Sequence, residues 1–156
     1  MDEQAYRLHY SSVVRFLIGF GAGDAEDLAQ ETFVRFERSG NDVPADRARF
    51  WLIRVARNLA LNELRRRRVR ERAAALEVVV RQADPEVSLE RRGELERCLT
   101  MLQSLPDDQR AAIILRDVEE LSYAEIAATL DVDVSKVKSD LFRARHRLRE
   151  QLGGKR

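Results

Sequence analysis

The stretch SYAEIAATLDVDVSKVKSDLFRARHRL, residues 122–148, carries the strongest structural pattern in this chain. Ser122 and Glu125 have the spacing of a capping box, and Asp133 can cap a second helix after a short turn. In that second helix the apolar residues recur at helical spacing; they are Val134, Val137, Leu141, Ala144 and Leu148. Two short helices, a tight turn and a basic outer face predict a helix-turn-helix whose second helix enters the major groove of DNA. Periodicity alone leaves open an ordinary helical hairpin with a solvated basic face.

Composition indicates a globular, helical protein without a catalytic or metal site. Of its 156 residues 35% are charged, 44% are hydrophobic and only 6% are aromatic, and good helix formers dominate. The lone Cys98 has no internal disulfide partner, and no Cys/His cluster has the spacing of metal ligands. We therefore expect no catalytic residues, no metal, no cofactor and no small-molecule substrate. The polar N-terminus and the lack of a long apolar run predict a cytoplasmic chain without membrane insertion.

The net charge of +1 conceals a strong segregation of charge along the chain. Arginines concentrate between residues 54 and 72, and further basic residues concentrate between 136 and 149. Acidic residues gather between Asp24 and Glu31. Segregated charge of this kind creates local potentials that suit separate partners of opposite sign.

Apolar periodicity and breakers predict two small helical domains joined by a flexible linker. The predicted N-terminal domain, residues 1–72, contains helices over 3–20, 25–38 and 47–72, with a loop over 39–46. Residues 73–89 lose the pattern and include Asp84-Pro85, so they form the predicted linker. The predicted C-terminal domain, residues 90–156, resumes with a helix to Ser104 and another after Leu105-Pro106. The fold class is all-α.

The C-terminal motifs resemble region 4 of the extracytoplasmic-function (ECF) sigma factors of bacterial RNA polymerase. The resemblance rests on Leu105-Pro106, on LSYAEIA at 121–127 and on VKSDLFRAR at 137–145. It implies that this domain reads the promoter −35 element through Ser122, Tyr123, Lys136, Lys138, Ser139, Phe142, Arg143 and Arg147.

The recognition helix departs from the family pattern at three positions. Ser135-Lys136 stands where the family usually has Gly-Thr, and Asp140 stands where it usually has a basic residue. These departures leave the preferred −35 sequence open. An added carboxylate near phosphates weakens nonspecific binding unless it accepts a hydrogen bond from a cytosine amino group, and we expect Asp140→Arg to raise the affinity for −35 duplexes.

The acidic stretch DAEDLAQETF, residues 24–33, resembles region 2.2 of the same family. The resemblance implies docking on the coiled coil of the polymerase β′ subunit by Asp24, Glu26, Asp27, Gln30 and Glu31. An acidic helix face with an amide suits a basic partner helix. The simpler alternative is that these carboxylates only complement the helix dipole.

The stretch FWLIRVARNLALNELRR, residues 50–66, is similar to regions 2.3 and 2.4, which read and open the −10 element. The residues implied in −10 DNA binding are Arg54, Arg57, Asn58, Asn62, Arg65 and Arg66. Asn58 and Asn62 lie one helical turn apart, and Asn offers both a donor and an acceptor to base edges. The loop 39–46 is expected to form part of a pocket for an extruded base. Trp51 fits a core position better than a stacking platform.

Taken together, the resemblance implies an ECF sigma factor that directs promoter-specific initiation in response to a stress or envelope signal. Its implied partners are core RNA polymerase (β′ coiled coil and β flap), promoter DNA and an anti-sigma factor. Unstacking DNA costs about 1.4 kcal/mol per base-pair step, whereas a captured base returns about 1–3 kcal/mol, so opening several steps requires the polymerase. Two alternatives are a repressor or activator that binds DNA alone and an interaction module that antagonises an anti-sigma factor. How the domains pack when inactive is left open.

Overall fold

The computed structural model describes residues 3–39, 42–67 and 89–153, and every regular element in these ranges is helical. The N-terminal bundle comprises α1 (Glu3–Phe20), α2 (Ala25–Ser39) and α3 (Ala48–Arg66), with a 3-10 turn at Ala45–Arg47 before α3. The C-terminal unit comprises α4 (Leu89–Gln103), α5 (Asp107–Ile113), α6 (Tyr123–Leu130) and α7 (Val134–Gly153). The all-α prediction is confirmed.

The predicted extent of the third helix is wrong at its C-terminal end. The helix ends at Arg66, and Arg67 has an extended backbone with φ −91° and ψ 140°. The N–H of Arg67 donates to the carbonyl of Leu64 at 3.2 Å, which closes the last turn tightly, while its guanidinium pairs with Glu63 at 2.5 Å. Residues 68–72 of that helix and 73–88 of the predicted linker lie outside the described residues.

The N-terminal bundle is held by aromatic and aliphatic side chains that its three helices bury. Phe16 and Phe20 of α1 are fully buried and stack at 5.4 Å between ring centroids. Phe33 of α2 is also buried. Trp51 of α3 is half-buried, and it packs edge-on against Phe36 at 5.2 Å. This contact supports a packing role for Trp51, as the sequence suggested.

A π-helical turn over Ile114–Val118 follows α5 and sets the direction of the chain before α6. The N–H of Glu119 donates to the carbonyl of Ile114 at 3.1 Å, which is the wide spacing of a π turn. Glu120 then adopts a left-handed φ of 59°, and the chain reverses towards the start of α6. This corner places Glu119 at the surface that faces the N-terminal bundle.

The two halves of the molecule pack directly against each other. Their buried apolar side chains form one continuous cluster rather than two separate cores. At the centre of the contact Ile114 covers Gly19, where an added Cβ would lie 3.1 Å from Cδ1 of Ile114. Nearby, Nε2 of Gln103 donates to the carbonyl oxygen of Gly19 at 3.5 Å. The sequence predicted two domains on a tether and did not predict this packing.

Candidate nucleic-acid interface

The helix-turn-helix forms through the caps that the sequence predicted. The Ser122 hydroxyl accepts the N–H of Glu125 at 3.1 Å, and the Glu125 carboxylate accepts the N–H of Ser122 at 2.8 Å. These bonds, first of all the one from the Ser122 backbone, lower the pKa of Glu125. Asp131 makes the turn with a left-handed φ of 56°, and the Asp133 carboxylate then accepts the N–H of Lys136 at 2.8 Å. Both helices therefore begin at satisfied caps.

One face of α7 is free to meet DNA. Lys138, Phe142, Arg143 and Arg147 are exposed, and the Phe142 side chain is 68% exposed. An exposed phenyl ring suits the thymine methyl groups in the major groove, and the cations around it suit the phosphates on either side. The predicted recognition helix thus presents an apolar contact flanked by positive charge.

Three other residues predicted for −35 binding are less available: two lie at the start of α6, and one is half-buried on α7. The Ser122 hydroxyl is committed to the cap of α6. Tyr123 is half-buried, with Arg116 4.7 Å and Lys138 6.0 Å from its ring centroid. Ser139 is half-buried. The ring of Tyr123 therefore packs against two cations, and little of its own surface is exposed.

Asp140 is not on the exposed face of α7, although the sequence analysis expected its carboxylate near phosphates. It is 7% exposed, and its Oδ2 lies 2.8 Å from Nζ of Lys136. The same ammonium lies 3.0 Å from Oδ2 of Asp108 at the start of α5. Lys136, predicted to contact DNA, is thus held between two carboxylates of its own domain.

The residues of α3 that were predicted for −10 binding fall into two groups that differ in what they contact. Asn58, Asn62, Arg65 and Arg66 are exposed, and the spacing of the first three puts them on one side of the helix. Beside the N-terminal part of this face, an open cleft of about 460 Å³ separates α2 from α3. It is lined by Glu31, Arg35, Arg38, Ser39, Trp51 and Val55. The cleft begins at the loop that the sequence assigned to a base pocket.

Arg54 and Arg57 form the second group, and both bind the C-terminal unit. Arg54 donates through Nε to the carbonyl of Thr129 at 2.9 Å and through Nη2 to the carbonyl of Ala128. Arg57 donates through Nη2 to Oδ1 of Asp108 at 2.9 Å. In this structure these two guanidiniums serve the contact between the halves.

A carboxylate that the sequence analysis did not single out lies at the same contact. The side chain of Glu119 is fully buried and accepts hydrogen bonds from the Ser12 hydroxyl and, at 3.0 and 3.1 Å, from Arg15. Arg49 donates to the Glu119 carboxylate at 3.3 Å and to its backbone carbonyl at 3.1 Å. Burial alone would raise the pKa of Glu119, but the bonds from Arg15 and Ser12 outweigh burial and lower it.

One feature of the sequence could have pointed to this cluster. Arg15 is the only Asp, Glu, Lys or Arg between residues 8 and 23, a segment otherwise apolar or neutral. An arginine in such a segment needs an anionic partner when the segment packs. No local pattern identifies the partner, because it lies more than one hundred positions away.

The acidic start of α2 is open to solvent. Asp24, Glu26, Asp27, Gln30 and Glu31 are all exposed. Asp24 accepts the N–H of Asp27 at 3.3 Å, so it caps the helix as predicted, and its hydrogen bond and charge raise the pKa of Asp27. Glu31 pairs with Arg35 at 3.1 Å. Crowded carboxylates at a helix start favour a cationic partner.

An apolar groove of about 440 Å³ lies between α4 and α7 on the C-terminal unit. It is lined by Glu94, Arg97, Cys98, Met101, Leu102, Leu148 and Leu152. Leu152 at its edge is 59% exposed. The groove offers an apolar contact surface away from the basic face of α7.

Within residues 3–39, 42–67 and 89–153, no group of three or more His, Cys, Asp or Glu side chains is arranged to hold a metal ion. None of the helices described there is long and apolar enough to cross a membrane.

Two protein families match separate parts of this chain. Residues 3–70 match the family described as Sigma-70 region 2, and residues 95–148 match the family described as Sigma-70, region 4. The two matches cover the bundle α1–α3 and most of the unit α4–α7.

Similar proteins are ECF sigma factors. The chain is 37% identical over 154 residues to the ECF RNA polymerase sigma factor SigE of Mycolicibacterium smegmatis, covering 96% of this chain and 58% of that protein. It is 33% identical over 162 residues to the ECF RNA polymerase sigma-E factor of Escherichia coli K12, covering 92% of this chain and 84% of the relative.

Two solved structures resemble the whole arrangement. One is the sigma factor RpoE in complex with the anti-sigma factor NepR from Bartonella quintana, with a TM-score of 0.74 and 27% identity over 99% of this chain and 98% of that chain. The other is CnrH in complex with the cytosolic domain of CnrY, with a TM-score of 0.73 and 28% identity over 97% of this chain and 86% of that chain.

Proposed function

This chain belongs to the ECF family of RNA polymerase sigma factors, and we propose that it binds core RNA polymerase and directs it to specific promoters. One observation carries the proposal: a helix-turn-helix with an exposed basic face shares the chain with an exposed acidic helix start. The first surface suits DNA and the second suits a basic protein partner.

The −35 element is read by α7 in this proposal. Lys138, Arg143 and Arg147 hold phosphates and fix the register of the helix, and Phe142 supplies an apolar contact to thymine methyl groups. Ser122 and Tyr123 hold the first helix and one flanking cation in place. Lys136 can contribute only when its ion pairs with Asp108 and Asp140 loosen.

The −10 element is read by the exposed face of α3. Asn58 and Asn62 offer amide groups to the edges of separated bases, while Arg65 and Arg66 hold the backbone. The cleft beside Trp51 has the dimensions to accept a base, and its arginines Arg35 and Arg38 can neutralise a phosphate. Arg54 and Arg57 join this face only after the two halves separate.

Core polymerase meets the chain at two places in this proposal. The β′ coiled coil binds the acidic start of α2, where Asp24, Glu26, Asp27, Gln30 and Glu31 face solvent. The β flap enters the apolar groove between α4 and α7, because an apolar groove offers burial that a charged surface does not.

Control by an anti-sigma factor completes the proposal. Its support is that a sigma factor bound to the anti-sigma factor NepR shares the arrangement of this chain over almost its whole length. An inhibitor of this kind would hold the halves together and keep α3 from DNA until a stress or envelope signal releases it.

The test is a run-off transcription assay with core RNA polymerase from the source bacterium. The templates are genomic fragments, including the region upstream of the gene for this protein. We expect the purified chain to bind core and to produce new transcripts with defined start sites. Asn58→Ala/Asn62→Ala should keep core binding and lose most open-complex formation. A chain that fails to bind an active core preparation but binds duplex DNA tightly by itself would instead be a repressor or activator.

A further inference from the structure

The turn before α2 is held by side chains at the end of α3. The N–H of Gly23 donates to Oε1 of Glu63 at 3.3 Å, and Nη2 of Arg67 lies 2.5 Å from the same oxygen. Gly23 is buried, and the next residue, Asp24, caps α2 with its side chain. A single carboxylate oxygen therefore joins the guanidinium of Arg67 to the backbone that leads into the acidic start of α2.

The guanidinium of Arg67 occupies the space that a side chain at residue 23 would need. A Cβ on Gly23 would lie 2.3 Å from Nη1 and 2.8 Å from Nη2 of Arg67, closer than nonbonded atoms approach one another. Gly21, two residues earlier, has a left-handed φ of 98°, but Gly23 is not among the glycines with a positive φ. Contact with Arg67, and not backbone conformation, therefore requires glycine at residue 23.

Arg67 differs in its surroundings from the two arginines before it. Arg65 and Arg66 are exposed, whereas the side chain of Arg67 is only 25% exposed. Its Nη1 is buried and has no hydrogen-bond partner within the part of the chain that the structure describes. An unsatisfied buried donor is unfavourable, so an arginine without a packing role would turn this nitrogen to water. The guanidinium is thus held against the turn by packing as well as by its ion pair with Glu63.

The ion pair also keeps the electrostatic potential at the start of α2 negative. A cation beside the first turn of a helix opposes the helix dipole and weakens the attraction of nearby carboxylates for a basic partner. Glu63 neutralises Arg67 at this point. The exposed carboxylates of Asp24, Glu26 and Asp27 therefore keep their full attraction for a basic helix.

From these contacts we infer that Arg67 and Glu63 are positioning residues for polymerase docking. They fix the turn at Gly23, and with it the direction and the charge of the acidic start of α2. The inference rests on the proposed function, in which this acidic surface binds the β′ coiled coil. It separates Arg67 from Arg65 and Arg66, whose proposed partner is the DNA backbone.

Gly23→Ala tests the contact without changing any charge. The new methyl group must displace the guanidinium of Arg67, so we expect binding to core RNA polymerase to weaken about three- to tenfold. Binding of a −35 duplex, which the proposed function assigns to α7, should not change, whereas a general loss of folding would lower both affinities. Gly93→Ala is the matched control, because a Cβ there would meet only Nη1 of Arg97 at 3.5 Å, an ordinary contact.

A double-mutant cycle tests whether Arg67 is the group that Gly23 accommodates. Arg67→Ala should weaken core binding by itself, because the turn loses the guanidinium that packs on it. In that background Gly23→Ala should cause no further loss, because the space beside the turn is already empty. Additive losses would mean that glycine is needed there for another reason, and they would overturn the role of Arg67.

Glu63→Gln tests the charge of the ion pair. The amide oxygen of glutamine can still accept the N–H of Gly23, but it no longer neutralises Arg67. We expect core binding to weaken about two- to fivefold and to depend less steeply on salt. Glu90→Gln is the matched control, because it removes the same charge from an exposed residue in the first turn of α4. Equal effects of the two substitutions would overturn the electrostatic role of Glu63.

The unmodified chain distinguishes a failure of this inference from a failure of the proposed function. If the unmodified chain does not bind core polymerase, the proposed function is wrong. If it binds and Gly23→Ala binds equally well, or if Gly23→Ala loses core and −35 binding to the same extent, only the positioning role is overturned.

Discussion

The guanidinium of Arg54 lies across the last turn of α6, where its Nε donates to the carbonyl oxygen of Thr129 at 2.9 Å. Carbonyls at the end of a helix lack partners within the helix, and they favour a cation. Arg54 thereby stabilises the first helix of the DNA-binding motif. The same guanidinium is one that the sequence assigned to −10 DNA, and it cannot serve both roles at once. In the proposed function, these two roles compete for one guanidinium.

Glu120 should be a site where glycine stabilises the protein. Its φ of 59° is in the left-handed region, which disfavours a residue with a Cβ by roughly 1–2 kcal/mol. After the greater flexibility of glycine in the unfolded chain is included, we expect Glu120→Gly to raise the free energy of unfolding by up to about 1 kcal/mol. Urea unfolding measures it, with Glu120→Ala as the control because alanine loses the same side chain but keeps the Cβ. Equal gains in both variants would mean that the carboxylate, and not the backbone, is responsible.

Asp140→Asn should strengthen binding to −35 duplexes, whereas Asp140→Arg should destabilise the domain. The asparagine keeps the shape of a nearly buried side chain and removes one of the two carboxylates that hold Lys136. With only the ion pair to Asp108 left, the Lys136 ammonium can more easily exchange that partner for a phosphate, so the slope of log affinity against log salt should steepen by up to about 1. An arginine there has no room and should cost about 1–3 kcal/mol. Salt titrations and thermal unfolding check both, and an Asp140→Arg variant of normal stability with tighter binding would restore the sequence-based expectation.

The carboxylates at the contact between the halves predict a loss of stability in acid. Arg15 and Ser12 hold the pKa of Glu119 below its usual range, and Lys136 and Arg57 do the same for the pKa of Asp108. A carboxylate whose pKa is lowered by folding contributes stability that is complete above its unfolded pKa of about 4 and disappears as pH falls through the folded value. The free energy of unfolding should therefore decline below about pH 4. Urea unfolding between about pH 7 and 3 measures this, and Asp108→Asn/Glu119→Gln should decline less steeply than the unmodified chain.

Ser122→Ala should cost about 1 kcal/mol of folding free energy. The substitution removes the acceptor for the N–H of Glu125, and it leaves the Glu125 side chain as the only remaining partner in the capping box. Ser135→Ala is a suitable control, since Ser135 is exposed at the start of α7 and should change the stability by less than about 0.5 kcal/mol. Chemical unfolding followed by circular dichroism distinguishes the two. Similar losses of folding free energy in the two variants would show that the Ser122 cap does not stabilise the helix more than an ordinary surface serine does.

Glu31→Gln should weaken binding to core polymerase, while Glu3→Gln should not. Each carboxylate pairs with an arginine four positions later at 3.1 Å, so both substitutions remove an equivalent surface ion pair. Only Glu31 belongs to the acidic surface proposed for the β′ coiled coil. We expect about two- to fivefold weaker binding from loss of one interfacial charge, equivalent to about 0.5–1 kcal/mol. A competition assay against a labelled sigma factor measures it, and parallel behaviour of the two variants would argue against α2 as the docking surface.

The local structure of this protein can be predicted from its sequence, because helix caps and apolar spacing depend on residues only a few positions apart. The starts of α2, α6 and α7 follow from Asp24, Ser122 and Asp133, whose side chains each accept an N–H group that the first turn leaves unpaired. The buried stripe of α7 follows from apolar spacing, and its exposed basic face follows from the residues left over. The resemblance to the sigma-factor family also rested on short local motifs, at 24–33, 50–66, 121–127 and 137–145.

Tertiary structure alone decided which charged side chains are available. Arg54 and Arg65 look alike in the sequence, yet one is held by the carbonyls of α6 and the other faces solvent. Asp140 lies on the basic helix but is buried, and Glu119 reaches Arg15 across more than one hundred positions. Coulombic and hydrogen-bond pairing depends on distance in space, and periodicity carries no information on which distant elements meet. The sequence therefore determined the helices and the type of side chain on each of their faces, and the packing of the two halves decided which of the charged side chains remain exposed.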